Sequence, residues 1–192
     1  MNIELLELWR EFEAQTTISQ IYELYDAVLN TPSGDVVEIG SARGGTTIVL
    51  IEAAKQVGKF VYSVDPYPEE MEGKAYGYTP GLMNEFKERF TKNILNGKHM
   101  NIIQFNNDLA GCIDLIPDNL SVVFIDGCHE FSFVQKEYEL IWPKIVKGGI
   151  LYIHDIYWGD GQVSKTARGG LTGVAEWLGR GVDVGNMLRI EK

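Results

Sequence analysis

The sequence lacks several features that mark particular classes of protein. It has only 2 cysteines, Cys112 and Cys128, and no CxxC pair, so we expect a reducing compartment and a fold without disulfides. Its 17 basic residues are outnumbered by 27 acidic ones, and the net charge of −10 opposes binding to nucleic-acid phosphates. No apolar run approaches the ~20 residues of a membrane span, since the richest, residues 48–54, contains Glu52. The first residues lack the basic segment of a signal peptide. We therefore expect a cytoplasmic protein that binds neither nucleic acid nor membrane.

The composition is that of one globular domain. Of the 192 residues, 45% are hydrophobic and 23% are charged, as in ordinary folded proteins. Because there are no repeats or low-complexity linkers, we predict a single domain over residues 1–192. Apolar side chains recur at helical spacing in the first thirty residues, which predicts two helices, the second capped by Thr16 or Thr17. We expect a helical N-terminal cap over residues 1–33 and a core over residues 34–192.

The core alternates between short apolar strands and longer amphipathic helices. Strands that are apolar at consecutive positions are covered on both faces, so this alternation predicts a parallel sheet between helices. The predicted fold class is α/β, a Rossmann-like, doubly wound, mainly parallel sheet with helices on both faces, and residues 182–190 are expected to add an antiparallel edge. Strands are predicted at residues 36–40, 60–65, 101–105, 121–126 and 149–154, and helices at 45–57, 81–96, 109–116, 131–146 and 167–178. Two loops, residues 66–80 and 157–173, are expected beside the binding crevice at the carboxyl ends of the strands.

The strongest local motif is a strand that ends in a glycine-containing turn, VVEIGSARGGTT at residues 36–47. Gly40 and Gly44 permit a positive φ and let a ligand lie against the backbone. The following helix begins with exposed N–H groups and a partial positive charge, which suit a carboxylate or a phosphate. Gly44 follows Gly40 by four residues, so the motif is not the GxGxxG of dinucleotide-binding folds. A tight turn without function remains the alternative.

Acidic and amide residues follow the next two predicted strands. Asp65 ends the second strand, 25 residues after Gly40, near the spacing at which an acid binds ribose hydroxyls. Asn107 and Asp108 follow the third strand, where side chains can reach an adenine edge. Each residue alone could be a solvated turn residue or a helix N-cap, but their shared position at successive strand ends favours one binding site.

These residues together resemble the cofactor motifs of class I S-adenosylmethionine-dependent methyltransferases. The resemblance implies that Glu38 lies near the amino-acid end of the cofactor, that Asp65 holds the ribose and that Asp108 borders the adenine. An acidic pocket suits the sulfonium and ammonium charges of S-adenosylmethionine. The implied cofactor-binding residues are Glu38, Gly40, Ser41, Gly44, Asp65, Asp108 and Asp126.

Two further motifs narrow the resemblance. Asp126-Gly127-Cys128-His129 follows the fourth strand, and His154-Asp155 ends the fifth. This pattern is similar to a methyltransferase subgroup with an Asp-Gly-x-His motif, which includes the macrocin- and mycinamicin-type sugar O-methyltransferases. The resemblance implies that His129 is the catalytic base and that Asp126 and Asp155 are metal ligands. His154 stands where those proteins often have a second aspartate, and we count it as a third candidate ligand.

The residue types themselves are compatible with this chemistry. Two carboxylates at the ends of neighbouring strands suit Mg²⁺, which prefers oxygen ligands. A bound ion would lower the pKa of a hydroxyl, and a histidine with an ordinary pKa of ~6.5 could then take the proton. We therefore predict O-methylation of a hydroxyl on a small molecule, a sugar being one candidate, with Mg²⁺ as a candidate second cofactor.

Three other functions stay open on the sequence. One is a non-catalytic domain that binds S-adenosylmethionine or a nucleotide. The second is a metal-dependent oxygenase that uses His129, His154 and Asp155 as ligands. The third is a nucleotide-binding oxidoreductase, which the glycine spacing opposes. The amphipathic N-terminus is also compatible with a homodimer.

Overall fold

The computed structural model describes residues 3–67, 81–96, 99, 101–128, 131–156 and 177–192. Its α-helices and strands, in chain order, are α1 (Ile3–Glu11), α2 (Ile18–Asn30), β1 (Asp35–Ile39), α3 (Gly45–Val57), β2 (Val61–Val64), α4 (Leu82–Phe90), β3 (Ile102–Phe105), α5 (Leu109–Cys112), β4 (Leu120–Ile125), α6 (Phe131–Ile141), β5 (Ile145–His154), β6 (Val182–Asp183) and β7 (Met187–Glu191). Short turns of other helix types extend α4, α5 and α6, namely a π-helix at Thr91–Leu95 and 3₁₀-helices at Ile113–Leu115 and Trp142–Lys144.

The strands form one sheet in the order β3-β2-β1-β4-β5-β7-β6. The first five strands pair in parallel, and β7 runs antiparallel to both β5 and β6. The predicted parallel sheet is therefore confirmed. The expected antiparallel edge is a hairpin rather than a single strand, with the two-residue strand β6 outermost.

Helices cover both faces of the sheet, and this explains why the strands are apolar at consecutive positions. On β4, Val122 and Phe124 belong to the core cluster that includes residues of α2 and α3. Their neighbours Val123 and Ile125 belong to the opposite cluster, with residues of α5 and α6. Because successive side chains of a strand point to opposite faces, every residue of such a strand is buried.

The N-terminal helices pack on the first part of the core. Thr17 caps α2, and its capping box is completed by the side chain of Gln20. Thr16 contacts the hydroxyl of Thr46 at 3.2 Å, and a Cβ added to Gly45 would lie 2.5 Å from Cα of Ala14. The chain between α1 and α2 thus lies directly against the first turn of α3.

Several predictions fall on residues that the structure does not describe. Residues 68–80 and 157–176 lie outside the described ranges, and with them most of both predicted loops and of the helix predicted at 167–178. None of the helices in the described part of the chain is long and apolar enough to cross a membrane.

Candidate functional site

The ends of β1 and β4 meet at the carboxyl edge of the sheet. Gly40 follows β1 with a φ of 89°, and a Cβ at this position would lie 2.4 Å from the carbonyl oxygen of Asp126, directly after β4. Only glycine accommodates both the positive φ and this close approach. The loops after β1 and β4 are therefore in direct contact. We call the region around them, bounded by Gly40, Asp65, Asp126 and His154, the carboxyl-edge crevice.

The glycine turn has the backbone geometry expected of a ligand-binding loop. Gly44 is the N-cap of α3 with a φ of 87° and makes no side-chain capping hydrogen bond. A Cβ on Gly44 would lie 2.7 Å from the side chain of Ile94. Ala42 also has a positive φ, 44°. Non-glycine residues with a strained backbone conformation cluster at functional sites. The turn is therefore a candidate binding element.

Asp65 holds this turn in place. One of its carboxylate oxygens accepts hydrogen bonds from the backbone N–H groups of Ser41 and Ala42, each at 2.9 Å, and the other accepts from the N–H of Tyr67 at 2.8 Å. Burial raises the pKa of Asp65, and these hydrogen bonds only partly offset it. The structure places Asp65 beside the glycine turn, as its position in the sequence suggested, while its binding to ribose stays a prediction.

Two other predicted cofactor residues have structural contacts of their own. The hydroxyl of Ser41 is hydrogen-bonded to that of Ser63 on β2. Asp108 is exposed and caps α5, where its carboxylate accepts a hydrogen bond from the N–H of Gly111 at 2.7 Å. Asp108 is therefore a helix N-cap, which was the alternative interpretation of this residue. The position of Asp108 beside adenine stays a prediction.

Glu38 is the most unusual acid in the crevice. Its side chain is 1% exposed, one carboxylate oxygen accepts a hydrogen bond from the hydroxyl of Thr47, and the other, Oε1, has no partner among the described residues. Burial, together with the charges of Asp126 and Asp65, raises its pKa to about 8 against the opposing effects of the Thr47 and Ser41 hydroxyls. A buried acid with an unpaired oxygen and acidic neighbours is suited to a cationic group of a ligand.

The predicted metal ligands Asp126, His154 and Asp155 lie together, and we call them the His154 cluster. One ligand atom from each lies within 4.8 Å of the other two. Nδ1 of His154 is 2.9 Å from Oδ1 of Asp126 and 3.5 Å from Oδ1 of Asp155. Burial lowers the pKa of His154, but the charge and hydrogen bond of Asp126 and the charge of Asp155 outweigh it, so the pKa lies above its ordinary value.

Gln20 is a member of the site that the sequence reasoning missed. Its Oε1 lies 3.2 Å from Nε2 of His154, although the two residues are 134 positions apart. The same Oε1 accepts a hydrogen bond from the N–H of Thr17, and Nε2 of Gln20 donates to the carbonyl of Gly185. The sequence contains a signal for the capping box, Thr17-x-x-Gln20, but none for the contact with His154.

The donor set of the His154 cluster is compatible with a divalent cation. Nε2 of His154 faces Oε1 of Gln20, so a ring hydrogen on Nε2 leaves the lone pair of Nδ1 on the side of Asp126 and Asp155. Oδ1 of Asp155 accepts a hydrogen bond from the side chain of Asn186 at 3.0 Å, and the carboxylate keeps further lone pairs. The metal assignment stays a prediction.

The predicted base, His129, lies outside the described residues, which end at Cys128 and resume at Phe131. Asp126, three residues earlier, is described and lies in the crevice. The structure therefore describes the start of the Asp-Gly-x-His motif, and the role of His129 stays a prediction.

The fold and the crevice define a Rossmann-like α/β domain whose ligands bind at the carboxyl edge of the sheet. Residues 37–156, more than half of the chain, match the family described as "Methyltransferase domain", so the chain belongs to that family. The family uses S-adenosylmethionine. An uncharacterised protein of Acanthamoeba polyphaga mimivirus is 23% identical over 122 residues, which are 62% of this chain and 50% of that protein. The chain thus spans about half the length of this curated relative.

Solved structures share the fold at low sequence identity. The O-methyltransferase from Bacillus cereus, in complex with SAH (S-adenosylhomocysteine), has a TM-score of 0.69 at 14% identity, covering 100% of this chain and 92% of that one. TomG from Streptomyces achromogenes, in complex with SAM, has a TM-score of 0.65 at 13% identity, covering 98% and 88%. MycE of the mycinamycin biosynthetic pathway, in complex with Mg, SAH and mycinamycin VI, has a TM-score of 0.62 at 16% identity, covering 98% and 53%. These similarities confirm the predicted Rossmann-like fold.

Proposed function

We propose that this chain transfers the methyl group of S-adenosylmethionine to a hydroxyl oxygen of a small molecule. The observation that carries the proposal is the unpaired Oε1 of the buried Glu38, because a cofactor with an ammonium group supplies the missing partner. Membership of the methyltransferase family and the fold shared with O-methyltransferases support the reaction type.

Different residues at the carboxyl edge of the sheet bind different parts of the cofactor. Glu38 accepts hydrogen bonds from the ammonium group, and the turn from Gly40 through Ser41 to Gly44 lies against the amino-acid portion. Asp65 accepts from the ribose hydroxyls, and Asp108 borders the adenine. S-adenosylmethionine, when bound, supplies an electrophilic methyl group on a sulfonium ion.

The chain's own contribution to the reaction is alignment and proton removal. Holding the acceptor oxygen in line with the methyl group can supply several kcal/mol of barrier lowering. His129 removes the hydroxyl proton, and Asp126, which shares the crevice with Glu38, contributes negative charge near the sulfonium. The acceptor is a hydroxylated small molecule, and a sugar is the first candidate because the Asp126-Gly127-Cys128-His129 motif resembles that of the mycinamicin-type sugar O-methyltransferases.

A non-catalytic domain that binds the same cofactor is the second candidate, because the unpaired Oε1 of the buried Glu38 bears on the binding of a cationic group and not on turnover. The oxygenase alternative loses support, since the chain belongs to the methyltransferase family.

Calorimetry and a methyl-transfer assay test the proposal. The protein should bind S-adenosylhomocysteine, and labelled methyl from S-adenosylmethionine should appear on a member of a panel of hydroxylated metabolites. A His129→Ala variant should retain S-adenosylhomocysteine binding and lose turnover at least ~100-fold, the usual contribution of a general base. Absence of binding would contradict the proposal, and binding without transfer to any acceptor would favour the non-catalytic alternative.

A further inference from the structure

Ala42, in the glycine turn, is held in a strained conformation by residues that follow β2. It has a φ of 44°, and the turn around it is closed by a hydrogen bond of 2.8 Å from the N–H of Gly44 to the carbonyl of Ser41. The N–H of Ala42 donates to Asp65 at 2.9 Å, and its carbonyl oxygen accepts a hydrogen bond from the hydroxyl of Tyr67 at 3.1 Å. A strained conformation persists only where the surrounding structure holds it. Here both polar backbone groups of Ala42 are held, by two residues of one segment.

The side chain of Tyr67 is itself fixed. The residue is 6% exposed, and its N–H donates to the second carboxylate oxygen of Asp65 at 2.8 Å. Its ring meets Phe90 of α4 edge to face, with the ring centroids 6.5 Å apart. Tyr67 is therefore a rigid hydrogen-bond donor directed at the glycine turn, and the proposed function gives it no role.

The hydrogen bond from Tyr67 determines which way the next peptide group faces. A trans peptide is planar, so its carbonyl and its N–H point in opposite directions, and none of the described peptide bonds is cis. Because the carbonyl of Ala42 points at Tyr67, the N–H of Arg43 points away from it. This N–H has no acceptor among the described residues, and α3 begins two residues later. A backbone donor beside a helix N-terminus is suited to an anionic group.

We propose that Tyr67 is a positioning residue for S-adenosylmethionine: its hydroxyl holds the Ala42–Arg43 peptide so that the N–H of Arg43 donates to the carboxylate of the cofactor. The inference rests on the proposed function, in which the glycine turn lies against the amino-acid portion. Tyr67 acts on the turn, and the turn acts on the cofactor. In a Tyr67→Phe variant the ring against Phe90 is kept, and the hydroxyl that fixes the peptide is lost.

Calorimetry with two ligands tests the proposal. S-adenosylhomocysteine carries the carboxylate, whereas its decarboxylated analogue lacks only that group and keeps the ammonium, the ribose and the adenine. Wild type should bind S-adenosylhomocysteine at least ~10-fold more tightly than the analogue, because a hydrogen bond to a charged group is lost with the carboxylate. Tyr67→Phe should bind S-adenosylhomocysteine about tenfold more weakly than wild type and the analogue equally well.

Tyr152→Phe is the matched control. It also removes the hydroxyl of a buried tyrosine, but that hydroxyl donates to Glu23 of α2 at 2.7 Å. The control should bind both ligands as wild type does. Equal losses for both ligands in Tyr67→Phe would show a general structural role and overturn the proposal, as would an unchanged affinity for S-adenosylhomocysteine. If wild type binds neither ligand, the proposed function fails, and this inference fails with it.

A second measurement does not depend on a variant that folds. In ¹⁵N-labelled wild type, S-adenosylhomocysteine should move the amide proton of Arg43 downfield, as a new hydrogen bond to a carboxylate does, and the decarboxylated analogue should not. An Arg43 amide that responds equally to both ligands would overturn the proposal.

Discussion

At the scale of single residues, the charge of Glu38 depends on what the crevice contains. Without a cationic partner the acid keeps its proton up to a pKa of about 8, chiefly because it is buried. In the unfolded chain its pKa is near the ordinary glutamate value of 4.5. The unfolded state therefore binds fewer protons between these two pH values, and Glu38 makes the ligand-free fold less stable as pH rises through this window.

Replacing Glu38 by glutamine should remove this pH dependence. Near pH 4 the ligand-free variant and wild type should have similar free energies of unfolding, and at pH 8.5 the variant should be the more stable by up to an amount on the order of 4 kcal/mol. Denaturant titrations at both pH values measure the difference. Glu139→Gln, on the exposed face of α6, is the matched control and should change neither value. If the free energies of unfolding of Glu38→Gln and wild type changed equally with pH, Glu38 would be ionised in the folded protein.

The same variant should bind the cofactor less well. A hydrogen bond to a charged group contributes about 1.5–3 kcal/mol, so Glu38→Gln should weaken S-adenosylhomocysteine roughly 10- to 100-fold. Calorimetry measures the affinity, again with Glu139→Gln as the control. An unchanged affinity would mean that the ammonium group binds elsewhere.

The role of Asp65 is best tested by changing the ligand, because any substitution of Asp65 also removes its hydrogen bonds to the glycine turn. If Asp65 binds the ribose, S-adenosylhomocysteine without its 2′-hydroxyl should bind wild type at least ~10-fold more weakly. In the Asp65→Asn variant, removal of the 2′-hydroxyl from the ligand should weaken binding markedly less than in wild type. Equal losses in both proteins would place the ribose away from Asp65.

At the scale of elements, the fit between the N-terminal segment and α3 depends on a missing side chain. Gly45 lies against the backbone of Ala14 so closely that a Cβ would be 2.5 Å from a main-chain atom. The main chain at Ala14 cannot move aside as a flexible side chain can. The segment between α1 and α2 would therefore have to move away from α3.

Gly45→Ala should therefore destabilise the protein by about 1–3 kcal/mol, with faster amide hydrogen exchange between α1 and α2. Gly127→Ala is the control, because a Cβ there would meet its nearest neighbour at an ordinary 3.7 Å. Denaturant titration and hydrogen exchange measure both effects. If Gly45→Ala were as stable as Gly127→Ala, the contact between Ala14 and α3 would not exist in solution.

The link between α2 and the His154 cluster also belongs to this scale. Gln20 completes the capping box of α2 and accepts a hydrogen bond from His154 on β5, so one residue of the N-terminal cap helps to fix the crevice. The N-terminal helices are thus part of the candidate site as well as of the core.

At the scale of the whole molecule, a ligand that binds only the folded state should raise its melting temperature. At a concentration 100 times its Kd, S-adenosylhomocysteine should add about 2.7 kcal/mol of stability, which for a chain of this size is roughly 5–10 °C. NAD at the same concentration should give no shift, since the glycine turn is not a dinucleotide motif. A thermal scan with each ligand measures this, and a shift with NAD alone would favour the oxidoreductase alternative.

Local sequence was sufficient for most of the fold. The helix predicted at residues 45–57 is observed as Gly45–Val57, because glycines with positive φ stand at both of its ends, Gly44 and Gly58. The strand predicted at residues 149–154 begins earlier, at Ile145, because Ile145 pairs with Leu120 of β4, and the register shifts before the next pair, Val122 and Ile150. A neighbouring strand can impose an extended conformation that local propensity does not favour.

The sequence by itself determined the alternation of elements, the glycine turn and the acids at the strand ends, because these follow from local periodicity and from where parallel strands end. Only the tertiary structure decided how far those acids are buried and which groups they contact. The buried and unpaired oxygen of Glu38 and the ring of His154 between Asp126 and Gln20 depend on partners far apart in the chain. Burial and hydrogen-bond partners set the charge of a side chain, and both are properties of the packed molecule.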